Sequence, residues 1–117
     1  MKATELMIGD WVYNSYHKKN IKWNYSEMFC PNGIPVIGRD LEPIPLTPEI
    51  LKKNGWKDAD YCIEYQDGKS IIQCGLPIMR GRINGIVIEH FKCEYVHQYQ
   101  HLLRLCGLNE LADNFKI

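Results

Sequence analysis

The chain has 117 residues, with 14 Lys and Arg residues against 14 Asp and Glu residues, so its formal net charge at pH 7 is zero. Its 45% apolar and 24% charged residues are typical of a globular protein and exclude a disordered tail, a collagen-like fibre and a coiled-coil rod. We expect one domain over residues 1–117, and the balanced charge argues against a protein that coats nucleic acid or anionic membrane through its overall field.

A hairpin is the first predicted element. Gly9-Asp10 is a turn dipeptide that precedes the β-forming run Trp11-Val12-Tyr13. After a polar stretch, Ile21, Trp23 and Tyr25 alternate with polar residues, as the residues of a half-buried strand do. The two runs therefore predict an antiparallel pair of strands near the N-terminus.

A short helix follows, and both of its ends can be read from the sequence. Thr47 suits the N-cap position and Pro48 suits the first helical position, where its missing amide hydrogen costs nothing. Gly55 suits the position after the helix, where it lets Trp56 fold back over the last turn. The sequence predicts a helix over about 48–54, which must dock on other elements because so short a helix is unstable alone.

Two further hairpins are predicted by the dipeptides Asp67-Gly68 and Asn84-Gly85, which are strong turn signals between β-forming runs. The paired runs are 61–65 with 69–73, and 82–83 with 86–91. Three consecutive aliphatic residues at 86–88 indicate a strand in the centre of the sheet, where both faces are covered.

The last strong element is a helix over about 95–106, because the apolar period changes to that of a helix at Tyr95. Its apolar face contains Tyr95, Val96, Tyr99, Leu102, Leu103 and Cys106. Its polar face contains His97, Gln100, His101 and Arg104, which we interpret as solvated. The predicted fold is α+β, with a small antiparallel sheet or barrel and these two helices. An SH3-like barrel is one form for the sheet, since Asp10-Trp11 resembles the opening strand of such barrels.

The cysteines and the N-terminus indicate a cytoplasmic protein. The five cysteines are odd in number and form no CxxC pair, so reduced thiols are expected. Glu5 and Asp10 interrupt the apolar stretch that a signal peptide needs. The longest aliphatic run, at 86–88, is far short of the roughly 20 residues of a membrane span, so no membrane partner is expected.

Four residues that can bind metal lie close together in the sequence: His90, Cys93, His97 and His101. His97 and His101 have the i, i+4 spacing that lets two imidazoles share an ion on one helix face. No zincin glutamate follows His97 and no second Cys/His pair has finger spacing. We therefore favour solvated histidines and a packed cysteine, expect no metal or other cofactor, and leave a metal site as the alternative.

Basic and aromatic residues alternate around the first hairpin, in a pattern that can bind single-stranded nucleic acid through phosphate contacts and base stacking. They are Lys18, Lys19, Lys22, Trp23 and Tyr25. The competing interpretation is that the aromatic residues build the core while the lysines keep the hairpin soluble. Catalytic motifs are not found: no serine lies in a G-x-S-x-G or S-x-x-K setting, and no phosphate-binding loop is present.

Three stretches together resemble a family of small uncharacterised proteins found in Bacteroidetes genomes, often in prophage or mobile-element settings. They are 6–13, 41–51 followed by Asn54-Gly55-Trp56, and 95–100 leading into Leu102-Leu103. The resemblance implies a bacterial or phage cytoplasmic protein with one α+β domain, and it implies no activity. We expect a non-catalytic interaction module with an unidentified protein partner, contacted through His97, Gln98 and His101. Nucleic-acid binding through the first hairpin is the alternative.

Overall fold

The computed structural model describes residues 5–23 and 41–117. Its strands form two antiparallel sheets, and three short helices accompany them. The elements are, in chain order, β1 (Trp11–Asn14), β2 (Lys19–Lys22), β3 (Leu41–Glu42), α1 (Pro48–Lys53), β4 (Lys57–Asp58), β5 (Ile63–Gln66), β6 (Ile71–Gly75), β7 (Ile78–Ile83), β8 (Ile86–Lys92), α2 (Val96–Leu105) and α3 (Asn109–Asp113). The predicted α+β class with antiparallel strands is confirmed, while the SH3-like form stays a prediction.

The smaller sheet has the strand order β2-β1-β3 and contains the predicted first hairpin. Its turn is stabilised by Asn14, whose side-chain oxygen accepts hydrogen bonds from the backbone amides of Tyr16 and His17, at 2.9 and 3.1 Å. The sheet has a small core of its own, formed by Val12, Ile21, Trp23 and Leu41. Tyr25, which we predicted in the second strand, lies outside the described residues.

The larger sheet has the strand order β4-β5-β6-β7-β8, so consecutive strands are neighbours. The β7–β8 turn is the predicted Asn84-Gly85 pair, and both residues have positive φ angles, 50° and 81°, as a tight hairpin turn requires. The β5–β6 turn covers residues 67–70, where an oxygen of Asp67 accepts hydrogen bonds from the amides of Lys69 and Ser70. Both hairpins are confirmed.

The predicted central position of residues 86–88 is wrong, because β8 is the last strand of its sheet in the described part of the chain. The aliphatic run suggested burial on both faces, yet Ile86 and Val87 are 47% and 62% exposed. The chain leaves β8 for a helix, so no later described strand covers its outer edge.

The ends of α1 match the prediction closely. The Thr47 hydroxyl accepts a hydrogen bond from the amide of Ile50, at 3.2 Å. At the other end, Gly55 has a φ of 89°, and the Trp56 amide donates to the carbonyl of Leu51, which completes a Schellman motif. Leu51 and Trp56 are both buried in the main core, so the cap also docks the helix.

The main core lies between the inner face of the larger sheet and the apolar face of α2. From the helix, Val96, Tyr99, Leu102 and Leu103 are almost completely buried. At the C-terminal end of α2, the side-chain amide of Asn84 donates a hydrogen bond to the Cys106 carbonyl, at 2.9 Å, which joins the β7–β8 turn to the helix. None of the described helices is long and apolar enough to cross a membrane.

Candidate functional site

The polar face of α2 is not solvated as we predicted, because the N-terminal segment packs on it. Gln100 is completely buried. Its carbonyl oxygen accepts a hydrogen bond from the Trp11 amide at 2.9 Å, and its amide group donates to the carbonyls of Gly9 and Ala112, at 3.0 Å each. A buried amide with these three partners costs little in desolvation and joins α2 to β1 and α3.

Asp10 is a completely buried carboxylate beside Gln100. One oxygen accepts hydrogen bonds from the Met7 amide, at 2.7 Å, and from the His101 imidazole, at 2.5 Å. The other oxygen pairs with the Arg104 guanidinium, which also contacts Asp113 at 3.2 Å. Burial by itself raises the pKa of Asp10, but the hydrogen bonds from His101, Met7 and Arg104 outweigh it and lower the pKa. The carboxylate therefore stays charged and acts as a structural bridge.

His97 is also buried, with 6% of its surface exposed, so it offers a partner little contact area. Its ring lies between those of Tyr95, stacked at 6.1 Å, and His101, at 5.5 Å. Within the described part of the chain, its Nδ1 atom has no hydrogen-bond partner. Burial, followed by the nearby His101, lowers the pKa of His97, although Asp10 and Glu5 act in the opposite direction. The neutral imidazole is therefore the favoured form.

Gln98 has a local structural role at the start of α2. Its side-chain oxygen accepts hydrogen bonds from the backbone amides of Glu94, at 2.8 Å, and Tyr95, at 3.1 Å. These amides precede the first helical turn, and a glutamine at this position satisfies them as in a capping box. The three residues that we predicted as partner contacts are thus His97 in the interior, Gln98 at the helix cap and His101 on the Asp10 carboxylate.

The four candidate metal ligands do not form a site in the structure. Cys93 is buried in the main core and His90 lies on β8, whereas the imidazole of His101 is bonded to Asp10. Among residues 5–23 and 41–117, no three His, Cys, Asp or Glu side chains lie together as a metal ion would require. The metal alternative therefore lacks a ligand set in this part of the molecule.

The residues of the predicted nucleic-acid surface lie in different environments. Lys18 and Lys19 are exposed at the tip of the first hairpin. Trp23 is buried in the small core and cannot stack on a base. The Lys22 ammonium lies over the Trp11 ring and donates to the Asp113 carbonyl, at 2.7 Å. Tyr25 lies outside the described residues. The exposed lysines therefore lack Trp23 as a stacking platform.

The outer edge of β8 is the surface that the sequence interpretation missed. This strand has seven residues and none of them is fully buried. Ile83 and Ile86 flank a two-residue turn and form a hydrogen-bonded pair, so the amide and carbonyl of the next residue, Val87, point away from β7. The exposed side chains of Ile86 and Val87 add apolar surface to this edge.

Comparison with protein-family models, with curated proteins and with solved structures found no match to this chain.

Proposed function

We propose that this protein is a non-catalytic interaction module that binds a protein partner by adding an extended segment of that partner to β8. The observation that carries this proposal is an edge strand with exposed aliphatic side chains and an outward-pointing backbone amide at Val87. Such an edge is a template for strand addition, in which backbone hydrogen bonds give affinity and alternate side chains give specificity.

The biological setting is also a proposal. The resemblance of three sequence stretches to Bacteroidetes proteins supports a bacterial, prophage or mobile-element origin. The four described cysteines, Cys62, Cys74, Cys93 and Cys106, are free thiols, which supports a reducing compartment such as the cytoplasm. Burial raises the pKa of Cys93 and of Cys74, which keeps both thiols protonated and unreactive.

Strand addition predicts that the Val87 amide becomes protected when a ligand binds. We propose selecting a displayed library of random linear dodecapeptides on the protein and measuring amide exchange with a recovered peptide at saturation. Exchange at Val87 is expected to slow by about tenfold or more, because a new hydrogen bond shields the amide. Val87→Pro should abolish peptide binding, since proline lacks the donor, whereas Val87→Thr keeps both donor and strand propensity and should bind normally.

A separate measurement tests whether the proline variant is still folded. The two-dimensional NMR spectrum of Val87→Pro should keep the wild-type positions of core amides such as those of Ile72 and Leu103, because the lost donor points away from β7. If the recovered peptides bind Val87→Pro as well as wild type, or if no peptide requires this amide, the β8 proposal is wrong.

The alternative function is nucleic-acid binding at the first hairpin, and a DNA-binding measurement separates it from the proposed one. We expect no measurable binding of single-stranded or duplex DNA at physiological salt in a fluorescence anisotropy titration. Trp23 is buried, and a chain with zero net charge leaves three lysines to supply the electrostatic attraction. Micromolar binding whose log–log salt slope falls by roughly one unit per lysine in Lys18, Lys19 and Lys22→Gln variants would establish the alternative.

A further inference from the structure

Two arginines lie beside β8 on the face of the larger sheet that is turned away from the main core. Met79 and Ile83 of β7 are buried, so the alternating residues Arg80 and Arg82 project from the opposite face, and both are exposed. Arg82 lies directly across from Val87 in the strand register. Both arginines therefore lie on the strand next to β8, on one face of the sheet.

Neither arginine forms an ion pair within the described part of the chain. Two lysines are paired in the structure, Lys52 with Asp58 at 2.9 Å and Lys92 with Glu94 at 2.8 Å. In contrast, Arg80 and Arg82 form no ion pair with any residue of 5–23 or 41–117. The two cations are therefore without an ion pair in these residues, although Arg80 lines a shallow cavity together with the carboxylates of Asp60 and Glu64.

The neighbours of the two arginines in the sheet differ in charge. Across β6, Arg80 faces Gln73 and Arg82 faces Ile71, and neither of these residues carries a charge. Across β8, the register shifts because β8 has one extra residue, so Glu89 and His90 together lie opposite Arg80, and Glu89 forms no ion pair with it. The extra residue of this bulge lies on β8, where His90 has a φ of 51°. Gly81 follows Arg80 on β7 and tolerates no side chain, because it has a φ of 135° and a Cβ atom on it would lie 2.1 Å from the Ile71 carbonyl oxygen.

The arginines are within reach of a strand added to β8. Adjacent strands are about 4.8 Å apart, so an added strand would lie about 10 Å from β7. An arginine and a glutamate can meet over the intervening strand because both side chains are long and rise from the same face. An arginine–carboxylate pair is directional and strong for a surface interaction, so it would select acidic residues at alternate positions of the added segment.

We propose that the segment which β8 binds is an extended, acidic protein segment that places Asp or Glu side chains beside Arg80 and Arg82. This inference rests on the proposed strand addition at β8 and adds the chemistry of the partner. The β8 strand of a second copy of this protein would fit poorly at this edge, because it carries one acidic and one basic residue and so has no acidic excess. If the two β8 strands paired antiparallel about their central residue, Glu89 would also lie opposite Glu89. The exposed apolar residues Ile86 and Val87 favour a protein segment over a phosphate backbone.

The experiment compares the charge of the dodecapeptides that need the Val87 amide for binding. We expect these peptides to carry an excess of Asp and Glu over Lys and Arg. The double variant Arg80→Gln/Arg82→Gln should weaken their binding by about tenfold or more, as should a rise in salt from about 0.05 to 0.5 M. Lys53→Gln/Lys57→Gln, which removes the same total charge from exposed sites on α1 and β4, should leave their affinity within about twofold.

The outcomes separate this inference from the proposed function. One outcome is that the recovered peptides require the Val87 amide but are neutral or basic and bind the double arginine variant normally. This outcome would contradict the proposal of an acidic partner segment, while strand addition at β8 would still hold. Recovery of no such peptide overturns both proposals. Oligonucleotide binding that the double arginine variant abolishes would replace the acidic protein segment with a nucleic acid.

Discussion

Replacing Asp10 with asparagine is expected to lower the free energy of unfolding by about 3 to 5 kcal/mol, the usual effect of removing one partner of a buried ion pair. The substitution keeps the size of the side chain but removes the charge that Arg104 and His101 face. The Arg104 side chain is only 13% exposed, so its guanidinium would be left mostly buried without its main counterion. Urea denaturation followed by tryptophan fluorescence measures this loss.

Asp113→Asn is the matched control, because Asp113 contacts the same guanidinium from a largely exposed position. A pair at 3.2 Å whose carboxylate is 59% exposed contributes little, so this variant should lose less than about 1 kcal/mol. Equal losses in the two variants would show that Asp10 is not a buried structural bridge.

The pH dependence of stability provides a second readout for Asp10. Its pKa is lower in the folded protein than in the unfolded chain, so the unfolded chain binds the proton more readily. The stability that Asp10 contributes is therefore fully present above the unfolded pKa of about 3.9 and is lost as the pH falls below it. Asp10→Asn should flatten the stability curve in that acidic range. A curve as steep as that of wild type would contradict the assignment.

Local sequence signals predicted the elements whose stabilising contacts are close in the chain. For α1, the cap at Thr47 and the Schellman end at Gly55 each depend on residues within a few positions. The Asn84-Gly85 turn is likewise a local preference, because both residues tolerate the positive φ angles of a tight turn. These features could therefore be predicted from the sequence and are confirmed in the structure.

The misinterpreted features depend on contacts between distant parts of the chain. His101 and Arg104 are polar residues on one helix face, and from the sequence we expected them to be solvated. In the structure both bond to Asp10, which lies 91 residues before His101 in the chain. Similarly, the aliphatic residues of β8 fit a central strand as well as an edge strand, and only the strand order shows that β8 lies at the edge. Periodicity shows which residues share a face, but it does not show which other segment packs on that face.

Leu103→Ala is expected to destabilise the protein by about 2 to 5 kcal/mol, because it leaves a cavity in a core that repacks only partially. Leu103 is completely buried on α2 and belongs to the main core. Leu105→Ala is the control on the same helix, since Leu105 is 70% exposed and should change stability by no more than about 0.5 kcal/mol. Equal effects in urea denaturation would contradict the orientation of α2, which also places His101 against Asp10.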